Sequence, residues 1–302
     1  MLRPRPKPCG DPIHLWCLIR TRSMVSHKNS VLFLVIAGLL WSTSGVLLKS
    51  MPSVHWLAIA GLRSAFAAII FLPGLTQRRP PLTRLLPVIL LYVVVVSALM
   101  GAMQLGTAAQ GIWLQYIAPA VVAVWAWLIH RQRIRPAELA AVLLTVIAVI
   151  LIVTGGNGLA HRQSVLLGVL SGISFGLLII VLKTLGDTPP AGLFFWTNLS
   201  AAAIIIPAGL ASGVAFPTAP REIALMATMG IFQLGLAYYF FQLGLARTRA
   251  VEASLIVLLE PIFNPIWVYL VLGEMPGVRV AMACGLIALA LVAMALLPNR
   301  RR

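Results

Sequence analysis

The sequence predicts an all-α membrane protein in which ten transmembrane helices form two inverted five-helix repeats. One observation behind this prediction is composition: of 302 residues, 60% are hydrophobic and 10% are charged, and the mean hydropathy is +0.98. Soluble domains carry about 25% charged residues, so this chain has too little charge to cover a water-facing surface. The other two observations are ten apolar segments and a weak resemblance between the two halves of the chain.

The apolar segments are bounded by charged residues, prolines and glycines. A helix needs about 20 mostly apolar residues to cross the hydrocarbon core of a bilayer. The first segment is too long for the core of a cleavable signal peptide, so we expect it to be retained. The third and fourth together are about 47 residues long, too long for one helix, and are cut at residues 106–108. The predicted spans are 31–49, 55–74, 84–105, 108–130, 137–154, 164–184, 191–211, 221–243, 250–272 and 278–297.

The basic residues predict that both termini lie in the cytoplasm. The formal net charge is +16, from 23 Lys and Arg against 7 Asp and Glu. With a cytoplasmic N-terminus, 18 of the 23 fall in cytoplasmic loops and tails and four fall outside, which follows the positive-inside rule. A nucleic-acid partner would need these charges on one folded face. They are spread over loops and tails, so we predict a multi-pass protein of the cell membrane that contacts lipid and no nucleic acid.

Two basic tails flank the predicted repeats. The N-terminal tail is proline-rich and predicted to be disordered, and translation from Met24 is an open alternative to Met1. The three cysteines, Cys9, Cys17 and Cys284, have no CxxC spacing, so neither a disulfide framework nor a zinc site is supported. The predicted units are the tail 1–29, the first repeat 30–155, the second repeat 164–298 and the tail 299–302.

The two halves share an order of short matches. GLLWS from Gly38 aligns with GISFG from Gly172, and Lys49 with Lys183, at an offset of 134. Pro119 aligns with Pro261 at an offset of 142. Five spans per repeat is an odd number, so the second repeat enters the membrane in the opposite sense. Inverted repeats are typical of secondary transporters that bind substrate near the midplane, which predicts alternating access.

Polar groups at membrane depth are costly and therefore mark candidate sites. Ser42 and Ser44 lie near the middle of the first span. They are candidates for a substrate pathway, and the alternative is that each bonds a carbonyl of its own helix. Arg63 lies within the second span. It is a pathway candidate, with a structural pair between helices or snorkelling to the membrane surface as alternatives.

The ninth span contains the most distinctive local sequence, EPIFNPIW from Glu260 to Trp267. Glu260 is the only acidic residue near the predicted bilayer centre, and it is a candidate for proton coupling. Its alternative role is a pair with Arg63 that locks the bundle. Prolines remove a helix hydrogen bond, so we predict helix breaks at Pro119, Pro261 and Pro265. We expect Glu252, at the start of the ninth span, to cap that helix rather than to take part in transport.

Several further polar side chains could line a cavity between the repeats, although packing is the favoured interpretation for the glutamines and tyrosines among them. The candidates for the substrate pathway are Gln104, Tyr116, Tyr238, Tyr239, Gln242 and Asn264. Gln110, Gln115 and Gln233 belong to the same group of candidates.

The sixth span carries Gly168, Gly172 and Gly176 at every fourth position, a spacing that favours close helix packing. Residues 172–176 also match the G-x-S-x-G pattern of serine hydrolases. That pattern has meaning only on a strand-to-helix turn beside a base, whereas here it lies within an apolar helix. We therefore predict no enzymatic activity, and the sequence indicates no cofactor or metal.

The chain resembles the EamA-type ten-helix branch of the drug/metabolite transporter superfamily over roughly residues 30–298. The residues that carry the resemblance are Trp41, Ser42, Lys49, Arg63, Pro119, Glu260, Pro261 and the sequence GEMP from Gly273 to Pro276. The first repeat reads Arg131-Gln132-Arg133 where the second has Gly-Glu, which is a departure from the pattern. The small four-helix relatives use a glutamate on their first helix for proton coupling. The first helix here has no acid, so Glu260 is the remaining candidate.

The resemblance implies a secondary carrier, often an exporter of amino acids, metabolites or drugs. We therefore expect a small-molecule substrate, alternating access and an oligomeric state that includes a homodimer as one option. A carbohydrate or nucleotide-sugar carrier is the alternative within transport. A membrane protein that binds a lipid or a protein partner without transport is the alternative outside it.

Overall fold

The computed structural model describes residues 27–77, 80–129, 131–154, 158–185 and 188–273, with 278–279, 281–283, 285–286 and 288–289. Predictions for most of the N-terminal tail, the GEMP exit beyond Gly273, the later part of the tenth span and the C-terminal tail lie outside the described residues. Every regular element in the described ranges is a helix.

The first repeat forms five helices near the predicted positions. The boundary between the third and fourth is set by Thr107, whose hydroxyl accepts a hydrogen bond from the amide of Gln110 at 3.0 Å, an N-cap of ordinary geometry. The second helix ends at Ile70, earlier than predicted, because Pro73 cannot extend the α-helical hydrogen bonds; Leu72–Thr76 form a 3-10 turn instead. The helices are α1 (His27–Lys49), α2 (Trp56–Ile70), α3 (Leu82–Leu105), α4 (Ala108–Leu128) and α5 (Pro136–Val153).

The second repeat is described over four complete helices and part of a fifth. Residues between 278 and 289 are helical wherever they are described, in agreement with a tenth helix. Seven helices of the described chain are long and apolar enough to cross a membrane, and α2 and α5 are shorter apolar helices. The complete helices are α6 (Leu159–Thr184), α7 (Pro190–Ala211), α8 (Pro220–Leu245) and α9 (Ala250–Leu272).

The two repeats pack into each other rather than side by side. The most extensive contacts join α3 to α6, α2 to α7, and α1 to α8. Exchanging each helix for its equivalent in the other repeat converts the α3–α6 pair into the α8–α1 pair and leaves the α2–α7 pair unchanged. The contacts therefore follow the internal two-fold relation that two inverted repeats predict, and the interface between them runs through the middle of the bundle.

The glycines of α6 permit close packing against α4, as the sequence predicts. A Cβ atom on Gly168 would lie 2.5 Å from the Cβ atom of Leu114, and one on Gly172 would lie 2.8 Å from the carbonyl oxygen of Gln115. Gly176 faces Val121 in the same way. The three glycines bring the backbone of α6 against the middle of α4, where the helix is interrupted.

Large apolar side chains cover the outer surface of the bundle. Leu86 and Leu90 of α3, and Leu166 and Leu170 of α6, are among the exposed ones. A soluble protein rarely exposes so many large apolar side chains in continuous stretches. The outer surface is therefore suited to lipid.

Candidate functional site

Three helices are interrupted near the middle of the bundle, and they meet there. α1 is divided into His27–Trp41 and Ser44–Lys49, α4 into Ala108–Gln115 and Ala118–Leu128, and α9 into Ala250–Ile256 and Leu259–Leu272. A broken helix frees backbone groups that must find partners inside the membrane. The candidate site is built from the side chains that satisfy these groups.

Two of the interruptions have prolines as their cause. Pro119 and Pro261 have no amide N–H to donate to the carbonyls four residues earlier, those of Gln115 and Val257. Turns at residues 116–117 and 257–258 precede these two prolines, where breaks were predicted. The break predicted at Pro265 is wrong, because Leu259–Leu272 continues through it. The chain has already turned at Pro261, and the new segment loses only one internal hydrogen bond at Pro265.

The interruption of α1 has no proline and was not predicted. The hydroxyl of Ser42 donates to the carbonyl of Leu39 at 2.6 Å, and that of Thr43 donates to the carbonyl of Leu40 at 2.8 Å. Such bonds from a side chain to its own helix compete with the helical pattern and bend it. Two consecutive hydroxyl residues are the sequence signal for this break.

α9 supplies the partners of the α1 break. The Asn264 side-chain amide donates to the carbonyl of Ser42 at 2.7 Å and to the hydroxyl of Ser44 at 3.3 Å. The indole N–H of Trp267 donates to the hydroxyl of Ser42 at 2.8 Å. Ser42, Ser44 and Asn264 are buried, so the structure places these three pathway candidates in a contact between α1 and α9.

Glu260 is held by the tyrosine at the break of α4. The hydroxyl of Tyr116 lies 2.6 Å from Oε2 of Glu260 and 3.1 Å from the carbonyl oxygen of Val257. All three residues are buried. The carbonyl that Pro261 leaves without a helical amide partner is thus within reach of a hydroxyl from the other repeat.

Arg63 is buried, with 1% of its surface exposed, which argues against snorkelling. Its guanidinium donates to Oε1 of Gln233 at 3.2 Å and to the carbonyl of Val96 at 3.1 Å. Among the described residues it forms no ion pair with Glu260, and its Nε atom has no hydrogen-bond partner. The two opposite charges are therefore separate, and the Nε–H of Arg63 is unused.

Arg63 and Glu260 nevertheless line the same cavity, which lies between the repeats. Its volume is about 20 Å³, which is room for roughly one water molecule. Tyr238, Gln115 and Gln233, which belong to the predicted group of pathway residues, also line it, and the ring centroid of Tyr238 lies 4.9 Å from that of Trp41. The remaining walls are Val95, Val96, Leu99, Phe175 and Leu234.

The other three pathway candidates lie away from this cavity. Gln104 accepts a hydrogen bond from the amide of Trp56 at 2.8 Å and donates to the carbonyl of Val54 at 2.7 Å, holding the α1–α2 connection. Gln242 donates to the carbonyl of Leu182 at 3.3 Å. The ring of Tyr239 packs against Phe71.

One feature of the site was missed in the sequence. Met229–Leu236 in α8 form a π-helix, a rare geometry that is frequent at functional sites, and Gln233 of this segment bonds Arg63. A Cβ atom on Gly230 would lie 2.4 Å from the carbonyl oxygen of Arg63. Gly230 and Gly235 permit this close contact with α2, and their spacing of five residues was the available signal.

The comparisons with known proteins agree with this architecture. The EamA-like transporter family matches residues 28–154 and 162–296, which is most of the chain in two repeats. The chain belongs to the EamA-like transporter family. It is therefore a multi-pass membrane transporter of the drug/metabolite transporter superfamily.

A solved crystal structure, whose title gives no function, has a TM-score of 0.76 to this transporter. It is 19% identical and the match covers 91% of this chain and 99% of that one. At this identity the likeness concerns the fold alone. No curated protein matches the chain.

The two ends of the transporter differ in openness. At the end formed by the C-termini of α4, α6 and α8, a cavity of about 600 Å³ opens between the repeats. We call it the basic vestibule. Its polar lining comprises His27, Gln132, Arg135, Lys183, Thr184, Arg247, Thr248, Arg249 and Glu252.

Charged contacts hold the rim of the basic vestibule. Arg249, the residue that precedes α9, bonds the buried carboxylate of Glu138 in α5 at 2.5 Å. Glu252, expected to cap α9, lies in its first turn and pairs with His27 of α1 at 3.2 Å. Lys183 donates to the carbonyls of Leu245 and Thr248 at the end of α8. The Arg249–Glu138 and His27–Glu252 contacts each join the first repeat to the second.

The opposite end is closed by contacts between the repeats. The hydroxyl of Ser53, in the α1–α2 connection, donates to Oε1 of Glu222 at 3.1 Å, and Arg221 reaches the carbonyl of Ser50 at 3.5 Å. Glu222 and Arg221 lie in the first turn of α8. The transporter is thus open at the basic vestibule and closed at the far end, with a nearly filled cavity between them.

Proposed function

We propose that this transporter is a secondary exporter of a small zwitterionic solute, such as an amino acid, and that it works by alternating access. The observation that carries the proposal is that Arg63 and Glu260 line one cavity between the repeats without pairing with each other. Keeping opposite charges apart inside a membrane is costly. A ligand with a carboxylate and an ammonium group would compensate both.

The residues that line the cavity have the chemistry to bind such a ligand once the cavity widens. The unused Nε–H of Arg63 is a donor for a carboxylate, and a guanidinium binds carboxylates through paired hydrogen bonds. Glu260 would accept from the ammonium group. Trp41, Phe175 and Tyr238 provide aromatic surface for an apolar side chain.

The solute would enter from the cytoplasm through the basic vestibule. The predominance of Lys and Arg at this end supports a cytoplasmic orientation, with both termini on the same side and the cell membrane as the location. The central cavity has room for about one water molecule, so binding requires the repeats to move apart. Closing the vestibule and opening the far end would then release the solute outside.

Glu260 is the proposed site of proton coupling. Among the described residues it is the only acidic one that lines the central cavity, and it bonds a hydroxyl rather than a cation. A proton and an ammonium group would compete for this carboxylate. Protonation from outside would therefore favour release of the solute, and deprotonation toward the cytoplasm would favour binding.

Counterflow in proteoliposomes tests the transport function. Purified protein is reconstituted with a panel of unlabelled solutes inside and a trace of each labelled solute outside. We expect saturable accumulation of at least one zwitterionic solute, with carbohydrates and nucleotide sugars inactive. Saturable counterflow of a sugar alone would contradict the proposed substrate class. Counterflow of none of the panel, in a sample with a cooperative melting transition, would favour a binding role without transport.

A resistance screen narrows the choice of solute. Cells that overproduce an exporter tolerate toxic concentrations of its substrate, so the screen is run with amino acids and their analogues. We expect protection against a small set that contains both a carboxylate and an ammonium group. The Arg63→Gln variant, produced to the same level in the membrane, serves as the control and should give no protection.

A further inference from the structure

The hydroxyl of Tyr116 lies between two acceptors that belong to the second repeat. Oε2 of Glu260 is 2.6 Å away and the carbonyl oxygen of Val257 is 3.1 Å away. A tyrosine hydroxyl carries one hydrogen, so it can donate fully to one of these acceptors at a time. Which acceptor receives it depends on whether Glu260 is ionised.

Tyr116 and its two acceptors belong to different repeats, so the acceptor that Tyr116 bonds affects the contact between the repeats. Tyr116 lies at the interruption of α4, in the first repeat, and Val257 at the interruption of α9, in the second. The carbonyl of Val257 is the one that has no α-helical amide partner because of Pro261. Its other partner is the amide of Glu260 at 3.0 Å, a tighter contact that belongs to the turn itself.

We propose that Tyr116 couples the protonation of Glu260 to the break in α9 by moving its hydrogen between these two acceptors. This inference rests on the proposed coupling role of Glu260. With Glu260 ionised, Tyr116 donates to the carboxylate. With Glu260 protonated, the acid O–H donates to the oxygen of Tyr116, whose own hydrogen turns to the carbonyl of Val257. One proton is taken up from water by Glu260, and Tyr116 stays neutral throughout.

The other charged and titratable groups around Glu260 do not change their charge when Glu260 takes up a proton. Among the described residues that line its cavity, Arg63 of α2 and Tyr238 of α8 are the ionisable neighbours in addition to Tyr116 of α4. α1 and α6 present Trp41 and Phe175, which do not titrate. Arginine stays protonated in proteins, so Glu260 is the group whose charge changes.

The break in α9 is in contact with α1, so a change of angle at the break would move α9 against α1. A Cβ atom on Gly38 would lie 3.6 Å from the Cα atom of Val257 and 3.4 Å from the Cβ atom of Leu259. A stronger bond from Tyr116 to Val257 fixes the first repeat to this turn. A bond to the carboxylate leaves the turn free to change its angle against α1.

Tyr116→Phe tests the proposal, because it removes one hydroxyl and keeps the ring. Counterflow and accumulation driven by a pH gradient are measured in the same proteoliposomes, and the ratio of accumulation to counterflow is compared. We expect this ratio to fall by about tenfold or more, because the loss of a hydrogen bond to a charged group changes an equilibrium constant by about that factor. Tyr269→Phe, an exposed tyrosine of α9, is the matched control and should keep the wild-type ratio.

The outcomes separate this inference from the proposed function. If Glu260→Gln loses accumulation driven by the pH gradient and Tyr116→Phe keeps it, Glu260 is the coupling site and the role of Tyr116 is wrong. If Glu260→Gln keeps it, the coupling role of Glu260 is wrong and the inference falls with it. Should Tyr116→Phe not fold, Pro261→Ala provides the second test. It returns an amide donor to the carbonyl of Val257 and should lower the same ratio, and an unchanged ratio contradicts the proposal.

Discussion

At the scale of single residues, the transporter keeps one arginine and one glutamate inside an apolar bundle by giving each a different neutral partner. Arg63 bonds an amide oxygen and a backbone carbonyl, and Glu260 accepts from a tyrosine. A direct ion pair would satisfy both charges and leave neither for a ligand. The neutral partners hold the two charges in place while they remain open to a solute.

Gln233 and Gln242 provide a matched test of this arrangement. Both are buried in α8, but Gln233 bonds Arg63 and Gln242 bonds a backbone carbonyl. We expect Gln233→Leu to raise the KM for a carboxylate-bearing solute several-fold, because Arg63 loses a positioning partner. Gln242→Leu should cost at most about 1 kcal/mol of stability, the net contribution of one hydrogen bond, because the carbonyl of Leu182 keeps its backbone partner; KM should change little. Counterflow kinetics and thermal melting in detergent measure the two effects. Equal KM values for both variants would contradict a positioning role.

At the scale of helices, the side chains of the site are positioned by interrupted helices rather than by continuous ones. The break of α9 places Glu260 at the cavity, the break of α4 places Tyr116 beside it, and the π-helix of α8 aims Gln233 at Arg63. Regular helices buried in a bilayer satisfy their backbone internally and offer few polar groups to a ligand. The irregular turns are therefore where a polar site can form.

The two prolines of α9 should differ in their effect on transport. Pro261 coincides with the break, whereas Pro265 lies in continuous helix. Pro261→Ala restores an amide to the carbonyl of Val257 and should straighten the turn, so we expect accumulation driven by a pH gradient to fall while counterflow is retained. Pro265→Ala should change neither measurement. Equal accumulation by the two variants would show that the break is not needed for coupling.

Gly230 is expected to be intolerant of a side chain. Its Cβ atom would meet the backbone of Arg63 at 2.4 Å, whereas a Cβ atom on Gly209 would meet the flexible ring of Phe216 at 3.4 Å. Gly230→Ala should lower stability by about 1–3 kcal/mol, the usual cost of overpacking, and Gly209→Ala should be tolerated. Thermal melting of the two purified variants measures the difference. Equal melting temperatures would contradict the close contact of α2 with α8.

The helices illustrate what the sequence could and could not predict. Charges, prolines and the Gly106-Thr107 boundary act locally, so the spans and the breaks at Pro119 and Pro261 follow from the sequence. The partners of Ser42 and Asn264 depend on which faces of α1 and α9 meet, which no local pattern specifies. The π-helix likewise depends on the fit of α8 against α2. Of the predicted pathway residues, Arg63, Gln115, Gln233 and Tyr238 line the central cavity together with Glu260, whereas Gln104, Tyr239 and Gln242 lie elsewhere.

At the scale of the whole molecule, the internal two-fold relation brings helices of one repeat against those of the other throughout the bundle. The contacts that close the far end join α8 to the α1–α2 connection, and the ion pairs at the basic vestibule join α9 to α5 and α1. Both sets link the two repeats. Both sets are formed in this structure, so a rocking of one repeat on the other that opens the far end would have to break the contacts there.

Cross-linking of the far end tests this movement. Ser53→Cys and Glu222→Cys are introduced together in a background without the native cysteines and joined with a short thiol reagent. We expect the cross-linked protein to lose transport and to regain it after reduction, because the far end cannot open. Either single-cysteine variant treated with the same reagent is the control. Full transport by the cross-linked protein would contradict alternating access through this end.

The most direct test of the central claim uses the two charges of the ligand. For the solute identified by counterflow, competition is measured with the free amino acid, its methyl ester and its N-acetyl derivative. If Arg63 binds the carboxylate and Glu260 the ammonium group, the free amino acid competes and both derivatives fail at the same concentration. Equal competition by all three compounds would contradict a zwitterion site between Arg63 and Glu260.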